Sequence, residues 1–214
     1  MPKALAAMAA VAIGYFSGAL PWGLWLGRWF RGVDVRTLGS GNLGATNVYR
    51  SLGPALGITT MVLDMLKGAI PVWIVGASSL AASFPGGPEW CRLAVGFSAI
   101  AGHVWTVFAG FKGGKGVATS GGVVLALSPI AFAVSAGVFV ATVALTRYIS
   151  LGSILGAVAF AAALALLSPS GVASPTFVFG ALVALLVIAR HRENIARLMR
   201  GEERRFALRS GKSS

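Results

Sequence analysis

Five short clusters along the chain combine glycine, amide, hydroxyl and basic side chains, the groups that bind anions. The first is Gly39-Ser40-Gly41-Asn42-Leu43-Gly44-Ala45-Thr46-Asn47-Val48-Tyr49-Arg50. Its glycines allow tight turns and close backbone approach. Ser40, Asn42 and Asn47 offer hydrogen bonds, and Arg50 can hold a pair of anionic oxygens bidentately. A helix from Gly44 onward puts Asn47 and Arg50, three apart, on one face. The third cluster, Phe111-Lys112-Gly113-Gly114-Lys115-Gly116, precedes an uncharged run. Glycine-rich backbone turning into a helix start exposes free N–H groups to a phosphate, and lysine adds a full charge. The spacing is not that of a P-loop, which needs Ser or Thr after the lysine.

The other clusters are more ambiguous. Leu63-Asp64-Met65-Leu66-Lys67-Gly68 puts two charges three apart in apolar surroundings. Such charges face either each other, locking helices, or a cavity. In Tyr148-Ile149-Ser150-Leu151-Gly152-Ser153 the small residues suit helix packing as well as a ligand. In Arg190-His191-Arg192-Glu193-Asn194-Ile195, a helix aligns His191 with Asn194 and pairs Glu193 with Arg197 four residues on. His103, in an apolar run, suits a helix-to-helix hydrogen bond. The joint chemistry is the binding and alignment of phosphate-bearing molecules, with His191 available for a proton. A cysteine nucleophile is excluded, because the lone Cys91 maps to the opposite side of the topology below. A metal centre lacks ligands, with two histidines and scattered acids.

The elements that must carry these clusters are membrane helices. The 214 residues are 56% hydrophobic and only 11% charged, against about 25% charged in soluble domains. The mean hydropathy is +0.80. Apolar runs fall at Ala4–Gly27, Ser51–Phe84, Leu93–Phe111, Val117–Thr146, Ile149–Ser168 and Gly171–Ala189. The net charge of +12 is segregated, so the side rich in Lys and Arg is the inner one. The arginine-dense stretch after Ala189 is then cytoplasmic. Arg147, Lys112 and Lys115 are also inside, so Val117–Thr146 must leave and return. A break at Ser128-Pro129, where proline lacks an N–H, splits it into two short spans. The count is seven spans, amino terminus outside and carboxyl terminus inside. Only Lys3 and Arg92 are basic on the outer side. All five clusters map to the inner side. The expected organisation is a single polytopic membrane domain over residues 1–214, ending in a basic cytoplasmic segment, 190–214. No nucleic acid is needed to explain the charge, since a basic inner face also attracts anionic headgroups and substrates.

At these residues the chain resembles the bacterial membrane acyl-phosphate:glycerol-3-phosphate acyltransferases. The strings are SGALPWG at Ser17–Gly23, GSGNLGATNVYR at Gly39–Arg50, LDMLKG at Leu63–Gly68, GHVWTVFAGFKGGKGVAT at Gly102–Thr119, SLGS at Ser150–Ser153 and RHRENIARLMRGEER at Arg190–Arg204. They span nearly the whole chain in order. The resemblance implies an all-α, seven-helix protein of the bacterial cytoplasmic (inner) membrane. It implies transfer of a fatty acyl group from acyl phosphate to the 1-hydroxyl of glycerol 3-phosphate, with no cofactor and no obligatory protein partner. The products are lysophosphatidic acid and inorganic phosphate. It implies catalytic roles for His191, Asn194, Arg50 and Ser40. Substrate contacts then fall to Asn42, Asn47, Lys112, Gly113, Gly114, Lys115, Gly116, Ser150, Gly152 and Ser153. Either His191 or the substrate's own phosphate accepts the hydroxyl proton, and the second is preferred.

Two other classes fit less well. A transporter for a phosphorylated solute needs polar groups near the midplane and a route outward, but the outer halves of the spans are almost wholly apolar. Acyltransferases built on a His-x4-Asp motif are excluded, because Phe108 and Ala196 stand where that aspartate belongs.

Overall fold

The first apolar run divides instead of forming one helix. In the computed structural model, which describes residues 1–168 and 170–206, α1 (Lys3–Ala19) and α2 (Trp22–Arg31) are separated at Leu20-Pro21. Pro21 has no N–H to continue the ladder, and it forces Leu20 out of the helical region, at ψ 112°. The carbonyls freed by this break find partners on other helices. Lys67 Nζ donates to the Leu20 carbonyl at 2.7 Å, and the Thr106 hydroxyl donates to that of Ala19. A broken helix in an apolar surrounding needs such partners.

A turn of 3-10 helix (Val35–Thr37) leads to α3 (Ala45–Leu52), so the helical start expected near Gly44 is present. The run Ser51–Phe84 resolves into α4 (Pro54–Gly76) and the single turn α5 (Ser79–Ala82). Then come α6 (Pro88–Val104), α7 (Val117–Leu127) and α8 (Pro129–Thr146). The expected break is at Ser128, whose hydroxyl accepts from the Ala131 N–H and caps α8. The chain ends with α9 (Ile149–Leu167), α10 (Pro175–Arg190) and α11 (Arg192–Met199), the last bent 59° from α10. Residues 207–214 of the expected basic segment lie outside the described residues.

No strand forms among the described residues. Among the described residues, five helical segments are long and apolar enough to cross a bilayer, α1 and α2 together counting as one, and the bent pair α10–α11 makes a sixth. The 11-residue α7 is apolar but reaches only about 16 Å of a roughly 30 Å hydrocarbon layer.

Small residues let these helices approach closely, as membrane packing requires. Gly14 and Gly18 of α1 lie on the α6 backbone at Val95 and Ala99, and Gly122 of α7 lies on Met65 of α4. Val72, Val95, Ile100, Val123, Phe160 and Val183 form the apolar centre. On α8, Ile130, Val134, Val140 and Leu145 point outward, the faces a lipid would cover.

Candidate functional site

Four helix ends converge on one side of the bundle. Lys115 sits in the loop before α7, Ser150 in the first turn of α9, Asn194 on α11 and Arg50 in the last turn of α3. The loop reaches its place by hydrogen bonds to the end of α6. The Gly113 N–H donates to the Val104 carbonyl and the Gly114 N–H to the His103 carbonyl, both at 3.1 Å. Gly116, at φ +84°, then turns the backbone into α7. Lys115 Nζ donates to Asn194 Oδ1, and Arg190 reaches the Gly114 carbonyl at 3.4 Å.

The centre of the cluster is a residue that the motif reading left without a role, Glu203. Gly201, at φ +71°, reverses the chain after α11, and the Glu202 N–H donates back to the Arg197 carbonyl at 2.8 Å. This carries Glu203 inward until it is only 9% exposed. Its Oε1 accepts from Ser150 Oγ at 2.8 Å and from Asn194 Nδ2 at 2.6 Å. Its Oε2 accepts from Arg197 Nε at 2.8 Å. Arg197 was expected to pair with Glu193. It turns to Glu203 because the returning tail offers a buried carboxylate where Glu193 stays in solvent. In sequence, an acid among arginines reads as a solvated tail charge.

Electrostatics follow from this arrangement. Burial pushes the Lys115 ammonium down to about 8; Arg197 and Arg190 add to the shift, and Glu203 and Glu193 oppose it. Burial pushes the Glu203 carboxyl up, but hydrogen bonds from Asn194, Arg197 and Ser150 outweigh it and hold the group below its ordinary range.

The remaining expected site residues sort by their contacts. Arg50 donates to the Arg204 carbonyl at 3.1 Å, and Ser40 is exposed in the turn before α3. Asn42 Oδ1 accepts from the Gly44 N–H at 2.8 Å. Asn47 is buried and diverges from Arg50. Its amide donates to the carbonyls of Val35, Leu38 and Asn42 and accepts from the Ser40 N–H. Both ends of its amide are engaged in shaping this loop. Lys112 is exposed. Gly152 faces Phe139 and Val143 of α8, and the Ser153 hydroxyl bonds back to the Ile149 carbonyl at 2.9 Å. Gly152 therefore packs on α8, whereas Ser153, three residues beyond Ser150, follows it on the same face of α9.

His191 is buried at the bend between α10 and α11, with Nδ1 2.8 Å from the Val187 carbonyl. A carbonyl only accepts, so Nδ1 carries the proton and Nε2 the lone pair. The Asp64–Lys67 pair is a buried ion pair of 2.8 Å, and Lys67 also locks the α1–α2 break. His103 lies 3.8 Å from Asp64, under the glycine loop.

The arrangement brings a lysine, an arginine and a serine together from separate segments and suits the holding of anions: the Asn194 amide and the Glu203 carboxylate link Lys115 to Ser150, and Arg50 holds the neighbouring Arg204 carbonyl. Known proteins share the sequence and the fold that carry it. The family model described as "Glycerol-3-phosphate acyltransferase" matches residues 8–201. A glycerol-3-phosphate acyltransferase of Geobacter sulfurreducens is 49% identical, over 91% of this chain and 95% of its own length. One from Desulforudis audaxviator is 42% identical, over 97% and 99%. The crystal structure of PlsY (YgiH), an integral membrane glycerol 3-phosphate acyltransferase in its glycerol 3-phosphate form, superposes with a TM-score of 0.84 at 39% identity. That match covers 94% of this chain and 96% of the other. Its lysophosphatidic acid form superposes with a TM-score of 0.81. Glu203 lies beyond the stretch that the family model matches.

Proposed function

Because this chain belongs to the glycerol-3-phosphate acyltransferase family, we propose that it moves a fatty acyl group from acyl phosphate to the 1-hydroxyl of glycerol 3-phosphate. The products are lysophosphatidic acid and inorganic phosphate. The observation that carries this reading is the convergence of Lys115, Asn194, Ser150 and Arg50 from four helix ends. Support for acceptor and product comes from the solved relative's glycerol 3-phosphate and lysophosphatidic acid forms.

Acyl phosphate is a mixed anhydride, already activated at its carbonyl carbon. The hydroxyl oxygen attacks that carbon, the bond from carbon to phosphate oxygen breaks, and phosphate leaves. No covalent enzyme intermediate is required. What is required is alignment of two anions that repel each other. Lys115 and Arg50 offset the repulsion, and Ser40 and Asn42 complete the acceptor side. Gly113, Gly114 and Gly116 set the loop, and Ser150 faces the donor phosphate. Lys112 adds positive field at the rim. Alignment of this kind supplies about 7–11 kcal/mol of a bimolecular barrier.

The hydroxyl proton passes to substrate phosphate. His191 has a free lone pair on Nε2, but its Nδ1–H meets a backbone carbonyl and not a carboxylate. Nδ1 therefore lacks the directly bonded carboxylate that stabilises the imidazolium of a catalytic triad. His191 and Asn194 orient the substrates.

In this reading the chain crosses the bacterial inner membrane seven times, with the broken α1–α2 as the first crossing, α4, α6, α8, α9 and α10 as full-length ones, and the short α7, packed on α4, completing its crossing with the loops at its two ends. The amino terminus is outside, the site is cytoplasmic, and the whole chain is one domain. The acyl chain stays in the bilayer while its phosphate reaches Lys115. The test is turnover by purified protein given acyl phosphate, acyl-CoA and acyl carrier protein as competing donors. Acyl phosphate alone should support the reaction; transfer from acyl-CoA without acyl phosphate would refute the donor assignment.

A further inference from the structure

We propose that Glu203 is a positioning residue for acyl transfer: the folded-back tail places its carboxylate so that Asn194 and Ser150 are held in one orientation and Lys115 is aimed by Asn194. The inference rests on the reading above, in which Lys115 and Asn194 hold substrate.

The geometry is specific. An asparagine amide has a donor end and an acceptor end. Glu203 can only accept while ionised, so it takes the Nδ2 end of Asn194. The Oδ1 end is thereby turned to Lys115 Nζ. A flipped amide would set its NH2 against an ammonium and leave Glu203 facing an oxygen. The same carboxylate oxygen takes the Ser150 hydroxyl, so one atom fixes residues from α9 and α11. Arg197 holds the other oxygen and keeps the carboxylate from rotating. The tail is itself held just beyond Glu203. Arg50 donates to the Arg204 carbonyl at 3.1 Å, and the Phe206 N–H donates to the Arg147 carbonyl at 2.6 Å. The Phe206 ring packs on Tyr49 of α3, with centroids 5.3 Å apart. A tail that touches α3, α9, α11 and the α8–α9 connection joins residues no single helix could join.

Glu203 also acts through charge. The ionisable groups facing Lys115 are Glu203, Glu193, Arg197, Arg190 and the neighbouring His191. Without the Glu203 charge, Glu193 alone opposes the two arginines, and Lys115 gives up its proton at lower pH.

The experiment uses the full chain in lipid nanodiscs. Glycerol 3-phosphate binding is measured by calorimetry from pH 6 to 10, and kcat and KM are measured with acyl phosphate. Glu203→Gln keeps the shape and removes the charge. Its loss of glycerol 3-phosphate binding at high pH should set in about one pH unit lower than in the parent. Glu203→Ala removes the tie, and kcat/KM should fall about 10- to 100-fold. Glu203→Asp should recover part of that loss. Glu202→Gln, an exposed neighbour paired with Arg200, should change neither quantity. An unmoved alkaline limb in folded Glu203→Gln, or Glu203→Ala losing thermal stability alone, would overturn the proposal. A parent protein that binds glycerol 3-phosphate but does not use acyl phosphate would overturn the donor assignment; the binding limb would still judge Glu203. A parent that binds no glycerol 3-phosphate would overturn both.

Discussion

Gly114→Ala should damage the enzyme by a route that the sequence does not reveal. The sequence suggests that a methyl group there obstructs backbone approach to phosphate. In the fold, a Cβ at Gly114 points into the His103 imidazole, colliding with Nε2 and closing to 2.9 Å on Cε1. His103 has little room to yield: it is buried, 3.8 Å from Asp64, and its own carbonyl receives the Gly114 N–H. Overpacking of this kind costs about 1–3 kcal/mol. Each kcal/mol lowers Tm by about 2–4 °C in a chain of this size. The strain is shared with the next residue, Lys115, and a displacement of about 1 Å at a reacting site can cost around 100-fold. The expected result is a 10- to 100-fold fall in kcat/KM accompanied by a lower Tm. The discriminating assay is a double-mutant cycle with His103→Ala, which opens the space the new methyl needs. Gly114→Ala should be much less harmful in that background, with a coupling of about 1–2 kcal/mol. Additive effects within about 0.5 kcal/mol would refute the steric argument and return Gly114 to a direct phosphate contact.

Four more outcomes are expected. Lys115 is charged below about pH 8 and neutral above it, so kcat/KM for glycerol 3-phosphate should fall as pH rises through 8; Lys115→Arg, which stays charged, should remove that limb if it retains activity. The same shift acts oppositely on stability. The unfolded lysine keeps its proton to about 10.4, so unfolding curves should show stability rising between pH 8 and 10. For His191→Gln, saturating glycerol 3-phosphate should recover most of the single-turnover rate; a rate still depressed about 1,000-fold would make His191 the general base. In a Cys91→Ala background, a cysteine at 115 should label only from the cytoplasm and one in the Phe84–Glu89 loop only from outside; the reverse pattern would overturn the topology.

What was legible in the sequence is what depends on neighbours along the chain. The all-helical membrane class followed from apolar runs of bilayer length. The break at Ser128-Pro129 followed from charge on both flanks and from proline's missing N–H. Pro21 has the same missing N–H, but it sits in an uncharged run with no return of side to demand a break. Its effect became visible only with Lys67 and Thr106 on the freed carbonyls. The Asp64–Lys67 pair was legible because three residues on a helix are neighbours in space. Lys115 and Asn194 were legible as polar groups at helix ends, but their contact crosses 79 positions. Only tertiary structure decided that Gly152 faces α8, that Asn47 is spent on its own loop, that Gly114 lies against His103, and that Glu203 fills the centre. The physical reason is that helices apolar on every side carry no periodic stripe to say which face meets which neighbour. Their rotation is set by close contacts such as Gly122 on Met65, and a tail residue 53 positions from Ser150 reaches it only once those rotations are fixed.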